Sequence, residues 1–374
     1  MSHPDVAVIG GGIIGLAVAR EAARGGARVT LLERDELARG ASRVAAGMLA
    51  PTCEAEFGAP ARDLLELGLA SARRWPAFAA ELERDSGREV GFSAHGAVML
   101  ARDRDEAEEL ERELDLRARL DLPARRLLGS EARELEPALA PGVRLALDAP
   151  EDHSVDPRKV CAALAIAARA AGVEIREHAP VREVQGASVT LARGDERLAA
   201  GTVVLAAGAW SGELPGAGAA PVRPVKGQAL RLRDPAGPGL LTRTVRFPGG
   251  YLVPRADGRY VLGGTVEDRG FDLRATAGGA RELLREAWEL VPGLDELELE
   301  EHCVGLRPGT PDNVPLIGRA ADGPMLYATG HHRNGVLLTP ITADLVGAML
   351  AGEDPGPLAA RCDPARLLAA GARA

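Results

Sequence analysis

Asp5–Glu33 reads DVAVIGGGIIGLAVAREAARGGARVTLLE, and this stretch decides the fold. Asp5–Ile9 is a short apolar run with β-branched character, the pattern of a buried strand. Gly10, Gly12 and Gly15 then form G-x-G-x-x-G. Helical spacing begins at once through Leu16, Ala19 and Ala23, and Gly25-Gly26 stops it. Ala27–Leu32 is a second apolar strand, closed by Glu33. Strand, helix, strand and terminal acid together read as a βαβ unit built to hold a diphosphate. Gly10 permits a tight turn, Gly12 lets a phosphate approach the backbone, and Gly15 lets the helix pack close to the strand. Free N–H groups at the helix N-terminus receive the phosphate. The Glu33 carboxylate is placed to accept hydrogen bonds from ribose hydroxyls. Taken alone, the unit leaves NAD and FAD both open.

The bulk properties narrow the class. At 374 residues the chain suits two domains, and 46% apolar content supports an ordinary core. A net charge of −9 argues against nucleic acid as a partner, which would need a basic face. No apolar run reaches the roughly 18 residues of a membrane-spanning helix. The N-terminus enters the first strand with no basic n-region, so the cytoplasm is the expected compartment. Cys53, Cys161, Cys303 and Cys362 are far apart without a C-x-x-C, which reads as reduced, structural thiols. No Ser/His/Asp arrangement and no metal-ligand spacing stands out.

Beyond Glu33 the small-residue run Ala41-Ser42-Arg43-Val44-Ala45-Ala46-Gly47-Met48 looks like a helix N-terminus, where Ser42 either caps the helix or reaches a phosphate. Residues 60–85 carry a helical apolar stripe interrupted at Pro76, and residues 90–100 suggest a strand pair. Residues 103–122 form a charged amphipathic helix with a solvated face, and residues 127–139 another helix. Asp156-Pro157 is an N-cap followed by proline at the first helical position. Strands are expected over 173–184, 188–193 and 202–207, the last ending at Gly208. From Pro221 the character changes to antiparallel strands, with Asp257-Gly258 as a hairpin turn. A helix over 278–291, a strand over 297–306, a buried strand at 325–329 and a final helix from about Leu338 complete the chain. The expected architecture is α/β with an α+β second domain: a Rossmann-like domain of residues 1–82, 150–215 and 305–374, interleaved with an antiparallel-sheet domain of residues 83–149 and 216–304. A cleft between the two is where a ligand belongs.

The whole pattern resembles the D-amino-acid-oxidase-type FAD oxidoreductases, and within them the glycine oxidase branch of the thiamine pathway. The residues that carry this are Val8–Gly15, Ala45-Ala46-Gly47-Met48-Leu49, Pro224-Val225-Lys226-Gly227, Tyr251-Leu252-Val253-Pro254-Arg255, Gly305-Leu306-Arg307-Pro308-Gly309-Thr310 and Gly330-His331-His332-Arg333-Asn334-Gly335. The resemblance implies noncovalent FAD, held by Gly10, Gly12, Ile13, Ile14, Gly15, Glu33, Arg34, Ala41, Ser42, Ala46, Gly47, Met48, Val181, Gly208, His331, His332, Arg333, Asn334, Gly335, Val336 and Leu337. Residues 331–337 would wrap the flavin ring, with the last helix aimed at its pyrimidine end, where a helix dipole favours the negative charge of the reduced form. Cys303 stands out of register with the position at which some sarcosine-oxidase relatives tether flavin.

Tyr251, Arg307 and Arg333 match the family's substrate-binding positions. A planar guanidinium that donates two parallel bonds suits an amino-acid carboxylate. The plainer readings stay open: an interdomain ion pair for Arg307, sheet packing for Tyr251, a backbone contact for Arg333, and loop histidines with no chemical role for His331 and His332. Two positions depart from the family. Gly249 stands where a polar ring is found, and Val266 where a longer apolar side chain fits, so pocket width is in question. The implied reaction is oxidative deamination of glycine by hydride transfer to the flavin, giving glyoxylate, ammonia and H2O2 with O2 as acceptor, or supplying the imine for thiazole formation. No acid–base residue is demanded of the protein, because catalysis is mostly positioning. Alternatives are a sarcosine or D-amino-acid oxidase, a dehydrogenase passing electrons to another acceptor, and a flavin-binding protein without turnover. A homotetramer is the implied assembly.

Overall fold

The computed structural model describes residues 3–54, 59–218, 220–320 and 323–367. Strand β1 (Val6–Ile9), helix α1 (Ile13–Arg24) and strand β2 (Val29–Leu32) form the opening unit. Helix α2 (Ala41–Val44) and strand β3 (Met48–Leu49) lead to the long helix α3 (Ala59–Ser86). Then come β4 (Ala97–Ala101), α4 (Arg104–Arg119), β5 (Arg125–Leu128), α5 (Gly129–Leu135), β6 (Leu145–Ala149) and β7 (His153–Ser154). Helix α6 (Pro157–Ala170) precedes β8 (Glu174–Arg176), β9 (Val181–Gln185), β10 (Ser188–Leu191), β11 (Arg197–Ala199) and β12 (Thr202–Leu205). The antiparallel stretch is β13 (Arg223–Arg233), β14 (Thr244–Phe247), β15 (Gly250–Pro254) and β16 (Arg259–Gly263). Helix α7 (Ala277–Trp288), β17 (Glu298–Gly309), β18 (Leu316–Arg319), β19 (Met325–Thr329) and α8 (Thr339–Ala351) follow.

Two large sheets organise these elements. The first has the order β18-β19-β12-β1-β2-β8 and is parallel except for β18. Its central strand β1 is buried at every position, which is why Val6–Ile9 is continuously apolar. Helix α1 packs between α6 and α8, and α3 covers the same side. The second sheet has the order β17-β13-β16-β15-β14-β4-β6-β5, antiparallel but for the β14–β4 pair. Its own apolar core joins Leu230, Leu232, Val245, Leu252 and Leu262 to Leu283 and Ala287 of α7. The chain is thus α/β with a second, antiparallel sheet, and segments of each alternate in sequence. Helix α3 runs on to Ser86 and β17 to Gly309, past residues 82 and 305 where domain borders were expected.

Several expected elements differ, each for a local reason. Helix α3 is not interrupted at Pro76. Trp75 and Phe78 flank the proline, are buried, and meet edge to face at 5.3 Å. Their burial offsets the roughly 3 kcal/mol of an interior proline. The helix expected over 127–139 splits at Gly129, because Arg125–Leu128 pairs with β6 and a Cβ on Gly129 would lie 1.9 Å from the Val143 carbonyl oxygen. The strand expected over 173–184 breaks between β8 and β9, where His178 takes φ +55° and Pro180 follows. Residues 90–100 hold one strand, β4, with an isolated bridge from Ser93 to Ser154 in place of the second. The Asp156 cap is as expected: its side chain accepts from the N–H groups of Arg158 (3.0 Å) and Lys159 (3.4 Å). Helix α4 departs from a wholly solvated charged face. Its Arg117 is buried and donates to Asp152 at 2.6 Å and Glu113 at 2.9 Å.

Candidate active site

A cavity of about 810 Å³ opens where the C-terminal ends of β1, β2 and β12 meet one face of the antiparallel sheet. In an open parallel sheet, that edge is the expected place for a ligand. At its inner end Gly10 takes φ +108°, and a Cβ there would lie 2.4 Å from the Ala206 carbonyl oxygen, so only glycine fits the turn. Gly12, Ile13 and Ile14 line the cavity at the start of α1. A Cβ on Gly12 would meet only Ser42 Oγ, at 3.3 Å, so its hydrogen leaves the cradle open. The first turn of α1 has no acidic residue, which leaves the positive end of its dipole for a ligand anion. Gly15, expected among the cofactor contacts, does not line the cavity. Its α-carbon presses on the Gly10 carbonyl instead, which makes it a packing residue.

Glu33 and Arg34 line the same end. Glu33 Oε2 accepts from the Gly11 N–H at 2.6 Å and Oε1 from the Asp35 N–H at 2.9 Å. Each carboxylate oxygen keeps capacity for another donor. The Arg34 guanidinium lies 4.1 Å above the Trp210 ring, and both face the cavity beside Val181 and Gly208. Ser42 does not cap its own helix, whose N-cap is Gly40. Its Oγ accepts from Ile13 N–H at 3.0 Å, which ties α2 to the start of α1 and leaves the hydroxyl proton to donate elsewhere. Ala41, Ala46, Gly47 and Met48 continue the wall.

One residue behind this wall carried no chemical reading in the sequence. Arg255 is buried and donates to the carbonyl oxygens of Ala46 and, at 3.0 Å, Val155. Those two groups pin Gly47, which takes φ +84° with no room for a Cβ against Val155. The signal available was an arginine closing a strand in the run Tyr251–Arg255.

His331, His332, Arg333, Asn334, Gly335, Val336 and Leu337 form the opposite wall. The Leu337 carbonyl oxygen accepts from both Ser71 Oγ (2.6 Å) and Trp75 Nε1 (2.8 Å) of α3. Among the described residues, Asn334 Nδ2 and His332 Nδ1 are buried there without a hydrogen-bond partner. Buried polar atoms seldom stay unpaired, so this wall is shaped for polar atoms of a ligand. Together with the open cradle at Gly12, it fits a dinucleotide carrying a heteroaromatic ring.

Both histidines are held neutral. Burial pushes His332 down to about 4 and His331 down to about 3. Thr342 Oγ1 donates to the Leu338 carbonyl oxygen, so the 3.0 Å contact with His331 takes its proton from Nε2. The folded value of His331 lies below its ordinary 6.5, so on acidification the unfolded chain takes up the proton first. Stability from this group is complete above pH 6.5 and is lost as pH falls from there toward 3. His331→Gln is therefore expected to lose less melting temperature than the parent between about pH 7.5 and about pH 5. Equal losses would show that His331 is not responsible.

At the far end, Tyr251 of β15 and Arg307 of β17 converge. A methyl group on Gly264 would sit 3.0 Å from the Tyr251 hydroxyl and 3.1 Å from Arg307 Nη2. Arg307 lies flat across Gly227, where any Cβ would fall 2.3 Å from Nη1. Its Nη1 donates to the carbonyl oxygens of Thr265 (2.9 Å) and Lys226 (3.4 Å). Behind it, Glu267 Oε1 accepts from Thr265 Oγ1 (2.6 Å) and Gln228 Nε2 (2.7 Å), and Lys226 Nζ lies 3.6 Å from Glu267 Oε2. Sequence reading did not assign Gln228, Thr265 or Glu267 to this support. Arg333 faces the same cavity from the His332 wall. Gly249 is open, with nothing within 4 Å of a built Cβ, and Val266 is 60% exposed at the rim.

Comparison with known proteins agrees with this geometry. Residues 5–349 match the DAO family, FAD dependent oxidoreductases. The chain is 36% identical over 358 residues to the glycine oxidase of Geobacillus kaustophilus (strain HTA426), covering 94% of each. It is 37% identical over 372 residues to the bifunctional protein ThiO/ThiG of Synechocystis sp., covering 97% of this chain and 54% of that longer protein. The crystal structure of glycine oxidase from Geobacillus kaustophilus superposes with a TM-score of 0.88 at 35% identity, covering 94% of this chain and 96% of that one. The match reaches from the first parallel strand into the last helix, across the cradle at Gly12 and the arginine at 307, and the chain belongs to the DAO family of FAD dependent oxidoreductases.

Proposed function

We propose that the protein oxidises glycine to its imine, which hydrolyses to glyoxylate and ammonia. The observation that carries this is the convergence of Tyr251 and Arg307 on one point of the cavity whose other end is the dinucleotide cradle. Bound FAD supplies the two-electron oxidation. Arg307 and Tyr251 take the substrate carboxylate, and Arg333 adds positive charge from the facing wall. Holding the carboxylate fixes the α-carbon, so the protein's contribution is mainly orientation. Cationic neighbours and partial desolvation lower the pKa of the substrate amine and favour its neutral, reactive form. The neutral His331 and His332 add no charge beside it.

Gly10, Gly12, Ile13, Ile14, Glu33, Arg34, Ala41, Ser42, Ala46, Gly47, Met48, Val181, Gly208 and residues 331–337 are the proposed FAD contacts, all facing the cavity. Binding is proposed to be noncovalent, since Cys161, Cys303 and Cys362 are buried and none lines the cavity. Residues 1–82, 150–215 and 305–374 are proposed as the FAD-binding body and residues 83–149 and 216–304 as the substrate-facing one, with α3 and β17 each reaching past a border. Dioxygen as acceptor with H2O2 as product, supply of the imine to the thiazole of thiamine, a homotetramer and a cytoplasmic setting are proposed with it, on the family resemblance. No described helix is long and apolar enough to cross a membrane. The open position at Gly249 favours a second reading in which sarcosine or a small D-amino acid is also accepted.

Anaerobic mixing of the FAD-loaded protein with glycine, sarcosine and D-alanine tests the assignment. Glycine is expected to bleach the flavin, and admitted O2 to restore it with release of H2O2. A flavin that all three leave oxidised ends the amine-oxidase reading. Reduction by glycine with slow recovery in O2 moves the acceptor to a quinone or a protein.

A further inference from the structure

We propose that Arg255 is a positioning residue for the flavin: by holding the Ala46 carbonyl oxygen in the core, it turns the Gly47 N–H outward as a donor to the bound ring. This rests on the FAD contacts proposed above at Ala46, Gly47 and Met48 and does not depend on which amine is oxidised. Arg255 itself does not line the cavity. It follows the end of β15 at Pro254, on the strand face that carries Tyr251 and Val253, while Leu252 points into the core beneath the sheet. Val253 packs with Ala46, Met48 and Tyr251. One strand therefore presents the substrate tyrosine at one end and the clamp on the cofactor wall at the other, roughly 13 Å apart over four residues.

The peptide planes on both sides of Gly47 are set from outside their own segment. The Ala46 carbonyl oxygen accepts from Arg255 Nη2, and the Gly47 carbonyl oxygen accepts from the Val155 N–H at 2.9 Å. Arg255 Nη1 holds the Val155 carbonyl oxygen at 3.0 Å, so one guanidinium steadies both supports. In a trans peptide the N–H points opposite to the carbonyl. With the Ala46 carbonyl turned back onto Arg255, the Gly47 N–H points away from it, and among the described residues no acceptor meets that N–H. Glycine takes either sign of φ, so at Gly47, with φ +84°, the residue itself does not stop this peptide from turning over. The bond to Arg255 does. The residue type supports the same reading. Arg255 Nε is buried without a partner, and burial pushes the guanidinium pKa down to about 10. Asp156, the acid that acts on it most, caps α6 and faces Arg259 at 3.5 Å. An apolar residue would pack there without that cost, whereas a forked donor can span two carbonyl oxygens.

Residue-resolved amide hydrogen exchange, on the holoenzyme and on protein stripped of FAD, tests this in the parent first. FAD is expected to slow the Gly47 amide about tenfold more than the Val155 amide, which is bonded to protein in both forms. Arg255→Met is expected to lose that extra protection. It is also expected to move the equilibrium of the bound flavin with a reference dye about tenfold toward oxidised flavin, because a donor to the ring is worth more once the ring has gained electrons. Arg255→Lys, which keeps a donor but not the fork, is expected to recover part of both. A Gly47 amide that FAD protects no more than Val155, or protection that Arg255→Met retains in full, overturns the proposal. A dye equilibrium unmoved in Arg255→Met marks a packing role and overturns it as well. If Arg255→Met does not fold, the parent exchange result decides. A parent that retains no FAD ends the cofactor reading and this inference together.

Discussion

Arg307→Met is expected to weaken glycine binding by about 2–5 kcal/mol, a factor of roughly 30 to several thousand in apparent affinity. The size follows from where the guanidinium lies. Its Nη1 is anchored on the Thr265 and Lys226 carbonyl oxygens, and its Nη2 faces the space beside the Tyr251 hydroxyl. Methionine fills a similar volume, so the loss is of charge and donors, and a carboxylate left in that site would keep only the charge of Arg333 across the cavity. Arg307→Lys is expected to recover only part of the loss, because a point charge cannot reproduce two parallel bonds. Gly264→Ala should act on the same step from the other side, since its methyl would occupy the point on which Tyr251 and Arg307 converge. FAD content should stay near that of the parent in all three, because the cradle at Gly12 is at the opposite end of the cavity. KM for glycine and the affinity for a non-oxidisable carboxylate are the readouts. An unchanged glycine affinity in Arg307→Met would remove the clamp.

The cradle was legible because its requirements fall on neighbouring residues. A tight turn, an open cradle and a helix start must follow β1 within a few positions, so Gly10, Gly12 and Gly15 announce themselves in order. The Asp156 cap is legible for the same reason: both of its acceptor bonds run to residues within three positions. The substrate end is different. The Arg307 support is assembled by the pairing of β13 with β17, which sets Val225 opposite Arg307. It also needs the return at Thr265–Glu267, bridged to Lys226 across the sheet. No local periodicity encodes such a pairing, and Tyr251 and Arg307 were reached only through the family resemblance. Arg117 was hidden because a charged helix face reads as solvated until Asp152 arrives beside it from the turn between β6 and β7. Pro76 misled for the converse reason: a breaker in sequence is tolerated where the core holds the helix on either side of it, here through Trp75 and Phe78.

Gly15→Ala is expected to yield a protein that loses most of its FAD and melts several degrees lower. A Cβ at this position would sit 1.9 Å from the Gly10 carbonyl oxygen and 3.4 Å from the Ala206 Cβ. The first contact is with backbone, so no rotamer change relieves it, and α1 itself must move. That helix is packed against α6 and α8 through buried Leu16, Ala17, Val18 and Ala19. In a close-packed interior such a shift costs about 1–3 kcal/mol of strain. Because Gly12, Ile13 and Ile14 ride on the end of the same helix, the shift also spoils the anion cradle. Gly12→Ala separates the two effects. Its Cβ would meet only the Ser42 hydroxyl, at 3.3 Å, while projecting into the cradle. It should therefore lower FAD affinity with little change in the melting temperature of the apoprotein, whereas Gly15→Ala should lower both. The measurements are the FAD-to-protein ratio after purification and the apoprotein melting temperature of each variant. Full FAD loading in Gly15→Ala would show that α1 tolerates displacement. A Gly12→Ala apoprotein as unstable as Gly15→Ala would show that Gly12 packs against protein and leaves no room for a phosphate.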